Sequence, residues 1–203
     1  MGHEIEGKTA MTQDVERAAI VTGSATGIGA AIALALSALG WGVVLNYTRS
    51  EDEVRATAAQ CRKLGGDPVV VQGDIADDAT CRALAEAARE RWGRLDGLVN
   101  NAGVTKFVPH ADMENLNRDD FEHIFGVNVI GTWQVTRAAA ALMRESGGGS
   151  VVVMSSLSGF TGAGSSAAYA ASKAALNSLT LSLARGLAPD IRVNAVCPGY
   201  VTT

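Results

Sequence analysis

Ala18-Ala19-Ile20-Val21-Thr22-Gly23-Ser24-Ala25-Thr26-Gly27-Ile28-Gly29 joins three things in order. A short apolar run reads as a strand. A glycine-rich loop follows, and an Ala/Leu-rich run to Leu39 reads as a helix. Strand, glycine loop and helix form the context that gives a glycine motif meaning. Gly23 can make the tight turn, Gly27 can let the backbone approach a phosphate, and Gly29 can let helix and strand pack closely. Free N–H groups at the helix start, together with the helix dipole, attract an anion there. The loop also reads as a plain turn between strand and helix that happens to hold several glycines. The glycines alone do not separate these two readings.

Outward from this unit the pattern repeats. Trp41–Tyr47, Val69–Gln72, Leu95–Val99, Ser150–Met154 and Ile191–Val196 read as apolar strands. Helical stretches fall between them at Glu51–Leu64, Asp78–Trp92, Asp119–Glu145 and Ala167–Leu187. In the long stretch from Asp119, the residues Phe121, Ile124, Phe125, Val135 and Leu142 are expected to face inward. Strands that are apolar throughout call for a parallel sheet covered on both faces. Right-handed crossovers then make it doubly wound. The fold class is therefore α/β, a Rossmann-like doubly wound parallel sheet in one domain, residues 16–203. Residues 1–15 are expected to be a flexible tail. In such sheets ligands sit at the carboxyl ends of the strands. The glycine loop, Thr48, Asp74, Asn101, Ser156 and Pro198-Gly199 all fall there.

Composition narrows the function. The chain has 203 residues, 47% of them hydrophobic, and a formal net charge of -4. That gives no basic footprint for nucleic acid. From Ala18 to Thr48 no residue is charged, a length that mimics a membrane span. Four glycines (Gly23, Gly27, Gly29 and Gly40) and Gly42 interrupt it, so a buried strand-helix-strand unit is the better reading, and no membrane partner is expected. Cys61, Cys81 and Cys197 are odd in number and far apart. Neither a disulfide framework nor a zinc site is expected, and reduced thiols fit a cytoplasmic protein. No metal is expected.

Tyr169-Ala-Ala-Ser-Lys173 carries the chemistry. On a helix, residues four apart share a face. A free phenol has a pKa near ~10 and is a poor acid or base at neutral pH. A cation fixed beside it favours the phenolate, so the pair can pass a proton to or from a substrate oxygen. A surface Tyr and Lys four apart by chance is the plain alternative.

Taken together, these motifs resemble the short-chain dehydrogenase/reductase family. They include the glycine loop, Asn100-Asn101-Ala102-Gly103, Ser156 with Tyr169-x-x-x-Lys173, and Pro198-Gly199, all in the family's order from about Ala18 to Thr203. Within that family the chain looks most like the 3-oxoacyl-[acyl-carrier-protein] reductases. The resemblance implies that Tyr169 is the general acid or base, and that Lys173 depresses its pKa and holds the nicotinamide ribose. It implies that Ser156 hydrogen-bonds the substrate carbonyl, that Asn128 holds a water linking Lys173 to solvent, and that Ser155 is structural. The cofactor would lie along Gly23, Ser24, Thr26, Gly27, Ile28 and Gly29. Asp74 and Ile75 would flank its adenine, and Asn101, Ala102 and Gly103 its adenosine side. Pro198, Gly199, Val201 and Thr203 would lie by its nicotinamide. Relatives continue past the position of Thr203 with a substrate lid and a last strand, so a C-terminal part is expected to be missing from this sequence. Substrate choice would rest on Thr105–Leu116 and on that part. A homodimer or homotetramer is implied, paired through the helices that start at Asp119 and Ala167.

Cofactor choice turns on the end of the second strand. An acidic residue about ~20 residues past the loop would bind the ribose hydroxyls of NAD. None stands there, and Tyr47 occupies the place the family uses for it. Thr48 and Arg49 could instead receive a 2′-phosphate, which favours NADP(H) with NAD(H) still possible. Thr26, where many NADP-dependent relatives carry a basic residue, argues the other way, and Arg49 also reads as a helix-start residue. The expected function is thus NADP(H)-dependent interconversion of a carbonyl, on a small molecule or a 3-oxoacyl thioester, and a secondary alcohol. The alternatives are an NAD-dependent alcohol, sugar or steroid dehydrogenase, and a non-catalytic nucleotide-sensing module on the same fold.

Overall fold

A computed structural model describes residues 15–202. Thr203 and most of the expected tail, residues 1–14, lie outside the described residues. Six parallel strands form one sheet: β1 (Ala18–Val21), β2 (Gly42–Tyr47), β3 (Asp67–Gln72), β4 (Gly97–Asn100), β5 (Gly149–Met154) and β6 (Ile191–Val196). Their order is β3-β2-β1-β4-β5-β6. The chain winds outward from β1 in one direction and from β4 in the other. The loops leaving these two strands diverge, which opens the crevice where such sheets bind ligands.

The helices are α1 (Gly27–Ala38), α2 (Glu51–Lys63), α3 (Asp78–Trp92), α4 (Arg118–Phe125), α5 (Thr132–Glu145), α6 (Ser158–Thr161) and α7 (Ala167–Leu187). They cover both faces of the sheet. Ile20, Val44, Leu98, Val151 and Val153 point into the core beneath α3, α5 and α7. Val21, Val43, Leu45 and Val99 point into a second core beneath α1 and α2. Alternate side chains of one strand enter opposite cores, which is why these strands carry apolar residues at successive positions.

Local chemistry sets the helix ends. Asp77 caps α3 by accepting from Ala79 N, and Gly93 closes it at φ 66°. Asn117 and Asp120 form a reciprocal capping box on α4. Ser166 Oγ accepts from Tyr169 N at the start of α7. Helix α1 is different: Thr26 sits at its N-cap in extended conformation and makes no side-chain cap bond, and the first turn carries no acid. Its leading N–H groups are left free for another acceptor.

Two expectations change. The single helix expected from Asp119 to Glu145 is α4 and α5 separated by a π-helical turn, Gly126–Gly131. Ile124, Val135 and Leu142 are buried as expected, but Phe121 is 38% exposed and Phe125 is only partly covered. The wider turn changes which residues face inward, so a uniform helical period cannot describe both sides of it. The short α6 was not foreseen. It is one turn long, closed by Gly162 in the left-handed region, too short to show a periodicity.

Candidate active site

The expected cofactor and catalytic residues within the described chain gather along one edge of the sheet, at the carboxyl ends of its strands. Two adjoining cavities run there. One, of about 400 Å³, is lined by Gly23, Asn46, Tyr47, Thr48, Arg49, Asp74, Ile75, Asn101, Ala102, Gly103 and Val104, with His123 and Val127. The other, of about 730 Å³, is lined by Ile28, Asn101, Gly103, Val104, Ser156, Tyr169, Lys173, Pro198, Gly199 and Val201, among others. Asn101, Gly103 and Val104 line both, so the two form one trough.

The glycine loop is held by its neighbours. Gly23 and Gly27 have φ of 61° and 58°, a conformation L side chains rarely adopt. A Cβ on Gly29 would collide with the Gly23 carbonyl oxygen and Asn101 Nδ2. Asn101 Nδ2 donates to the carbonyl oxygens of Thr22 and Gly23 at 2.9 and 3.0 Å. Thr22 Oγ1 accepts from the backbone N–H groups of Asn101 and Ala102, each at 3.0 Å. Ser24 is buried and its Oγ accepts from Asn46 N at 3.0 Å. The buried amide of Asn46 accepts from Gly23 N at 3.2 Å and donates to Gly73 O at 3.0 Å. Thr22 and Asn46 were not singled out from the sequence. The signal was there, since each is a polar residue at or beside the end of an apolar strand.

At the far end of the first cavity, Thr48 and Arg49 are exposed. Tyr47, at the position expected to replace a cofactor-binding carboxylate, is 8% exposed and packs among Val54, Ala58 and Leu45. Asp74 Oδ1 accepts from Ala76 N at 2.9 Å, which fixes the turn before α3. Ile75 is buried, and a Cβ on Gly131 would meet its side chain at 2.8 Å.

In the larger cavity Lys173 is 5% exposed. Its Nζ donates to Met154 O at 2.7 Å and lies 5.5 Å from the centre of the Tyr169 ring. Burial pulls the ammonium down to about 8 from its ordinary 10.5, partly offset by the charge interaction with Cys197. The neighbouring serines differ. Ser155 Oγ turns inward, 3.0 Å from Lys173 O and 2.6 Å from Asn177 Oδ1. Ser156 Oγ accepts from Ser158 N and donates to Ser158 Oγ, both at 3.1 Å. Both serines border the cavity, but only Ser155 is tied to the helix behind it. Asn128 is fully buried in the π turn. Its Oδ1 accepts from Val104 N at 2.8 Å, and its Nδ2 donates to Val104 O and Ser172 Oγ, each at 3.0 Å. Gly103 separates it from Lys173: a Cβ there would stand 3.3 Å from Asn128 Oδ1 and 3.7 Å from Lys173 Nζ.

The trough fits a dinucleotide. It begins beside two exposed side chains, Thr48 and Arg49, passes the uncapped start of α1, and ends at Tyr169 and Lys173. Among the described residues no group of His, Cys, Asp or Glu could hold a metal ion, and no helix is long and apolar enough to cross a membrane. The three cysteines are free thiols. Burial pushes Cys81 up to about 12 and also raises Cys61, so neither is a ready nucleophile.

Comparison with known proteins identifies the family. The family model for short chain dehydrogenases matches residues 17–203. A protein of Streptomyces violaceoruber, named for ketoacyl reductase 2 of the granaticin polyketide synthase, is 45% identical over 91% of this chain and 73% of its own length. A 3-oxoacyl-[acyl-carrier-protein] reductase of Synechocystis is 34% identical over 96% of this chain and 77% of its own. Among solved structures, a short-chain dehydrogenase/reductase from Burkholderia xenovorans has a TM-score of 0.90 at 45% identity, covering 92% of this chain and 78% of that one. An NAD+-bound xylitol dehydrogenase has a TM-score of 0.85 at 30% identity, covering 93% and 72%. The chain is thus an NAD(P)-dependent oxidoreductase acting on CH–OH and carbonyl groups, and it belongs to the short-chain dehydrogenase/reductase family.

Proposed function

We propose that the protein interconverts a ketone of the 3-oxoacyl-thioester type and the corresponding secondary alcohol, with NADP(H) preferred over NAD(H). The observation that supports this most is the meeting of Ser156, Tyr169 and Lys173 in one cavity that continues to the glycine loop. The thioester reading also draws on the two relatives named for ketoacyl and oxoacyl reduction. A nicotinamide dinucleotide, when bound, supplies or accepts the hydride.

The chain's own residues do the rest. The α1 start and the Gly23–Gly29 loop would take the pyrophosphate, with Ser24 and Asn46 holding the loop in shape. Asp74, Ile75 and Asn101 to Gly103 would flank the adenosine, and Thr48 and Arg49 the 2′-phosphate. Pro198, Gly199 and Val201 would border the nicotinamide. Ser156 Oγ would donate to the substrate oxygen as negative charge develops on it. Tyr169 would deliver its phenolic proton to that oxygen during reduction, or remove it during oxidation. Lys173, held against Met154 O, places a positive charge beside the phenol and offers its remaining donors to the ribose. Asn128 fixes the turn before Val104 and, through Ser172, the helix turn that carries Lys173. A water held by Asn128 would return protons from solvent.

The test is a panel of ketones and secondary alcohols, including 3-oxoacyl thioesters, offered with NADPH, NADH and their oxidised forms. Turnover of a 3-oxoacyl thioester with NADPH, above that of sugars and simple alcohols, supports the proposal. Turnover confined to sugars with NAD+ overturns it.

A further inference from the structure

Three segments bring the reacting groups together: the end of β5 carrying Ser156, the α7 turn carrying Lys173, and the link after β6 carrying Pro198 and Gly199. One side chain of α7, outside the site's reacting groups, touches the other two segments. Asn177 lies one turn after Lys173 on α7. Its Oδ1 is 2.6 Å from Ser155 Oγ and 3.7 Å from Cys197 Sγ. Ser155 immediately precedes Ser156, and Cys197 immediately precedes Pro198. The Ser155 hydroxyl also reaches Lys173 O at 3.0 Å, and Lys173 Nζ holds Met154 O at 2.7 Å. The end of β5 is therefore gripped by α7 at two successive residues.

The amide of Asn177 is not there to satisfy its own hydrogen bonds. Its Nδ2 is buried without a partner. A leucine or methionine would fill similar space without leaving a buried amide hydrogen unbonded. The polar group makes sense through what its oxygen holds.

We infer that Asn177 is a positioning residue: through Ser155 and Cys197 it sets the distance of Ser156 and Pro198 from Tyr169 and Lys173. It touches no reacting atom. Its effect on rate comes from geometry, since small misplacement of a reacting group costs much in rate. This inference rests on the proposed roles of Ser156, Tyr169 and Lys173.

The test compares Asn177→Leu, Asn177→Asp and Ser155→Ala, singly and with the Leu and Ala changes combined. Asn177→Leu is expected to lower kcat roughly tenfold or more, with a smaller change in KM for the dinucleotide. Asn177→Asp keeps an accepting oxygen; burial favours its neutral form, and in that form it should retain most of the rate. In the Ser155→Ala background, Asn177→Leu should cost little more, because the contact it acts through is already gone. A second readout needs no substrate. Amide hydrogen exchange of the cofactor-free protein should quicken at residues 155–158 and 197–199 in Asn177→Leu, with global stability retained. Wild-type kcat in Asn177→Leu, equal losses in the Leu and Asp variants, or independent multiplication of the Leu and Ala losses would overturn the inference. If the wild type turned over no carbonyl or alcohol, the functional proposal would fail, and hydrogen exchange alone would decide Asn177: unchanged exchange at both segments rejects it.

Discussion

Lys173 Nζ donates a 2.7 Å hydrogen bond to Met154 O, so the ammonium of α7 is anchored to the last residue of β5. Burial makes that charge costly, and its proton is lost near pH 8 rather than 10.5. In the unfolded chain the lysine holds its proton up to 10.5. The folded state is therefore penalised below pH 8 and relieved of the penalty as pH rises from 8 to 10.5. Lys173→Met should be more stable than wild type at pH 7 in the absence of cofactor. The gap, read by thermal or urea unfolding, should close as pH rises from 8 to 10.5.

The same titration bears on binding. If the ammonium holds the ribose, dinucleotide affinity should weaken as pH rises through 8, and Lys173→Ala should flatten that dependence while lowering affinity and rate together. Isothermal titration between pH 6.5 and 9.5 measures both. A pH-independent wild-type affinity would separate Lys173 from the ribose.

Tyr169→Phe removes the proton donor and almost no volume. It should reduce turnover by about 100-fold or more, with dinucleotide affinity nearly unchanged. Ser156→Ala should lower kcat by about 100-fold through the lost oxyanion contact. Steady-state kinetics beside cofactor titration checks both, and near-wild-type kcat in either variant removes that residue from the chemistry.

Cofactor preference is best tested at Arg49. Tyr47 is an unsuitable position, because it packs in the core against Leu45 and Val54 and an aspartate there would bury a carboxylate. Arg49 is exposed. Arg49→Ala should weaken NADPH by about tenfold, equivalent to about 1.4 kcal/mol, and leave NADH nearly unchanged. Equal losses for both cofactors, or tighter NADH binding by wild type, would count against the NADP(H) reading.

Ile130, Trp133 and Leu181 expose apolar surface on the π turn, α5 and α7. A self-associating protein would cover that surface around a two-fold axis. Analytical ultracentrifugation at micromolar concentration should give a dimer or tetramer, and Ile130→Glu with Trp133→Glu should shift it toward monomer.

The periodic parts of this fold were legible. Ile191–Val196 and Ala167–Leu187 have the predicted limits, because each is bounded by turn chemistry and filled by one consistent pattern. The turn at Gly126–Gly131 was not legible. It carries close approaches made across the fold, of Asn128 to Val104 and of Gly131 to Ile75, which no local period records. The site divides the same way. Tyr169 and Lys173 could be paired from spacing alone. Asn46 and Asn177 act through bonds to segments far along the chain, so their significance appears only once the strands are side by side.

The glycine loop is bound by Asn46 of β2 on one side and by Asn101, just after β4, on the other, while Thr22 joins it to Ala102. The glycine loop is therefore not a portable peptide. Transplanting Thr22–Gly29 into another parallel sheet would carry over the turn but not the braces that shape it. A working graft would need at least three separate pieces of sequence moved as a set. In lineages that keep the loop, Asn46 and Asn101 should be inherited with it, and a change at one should be matched by change at the others.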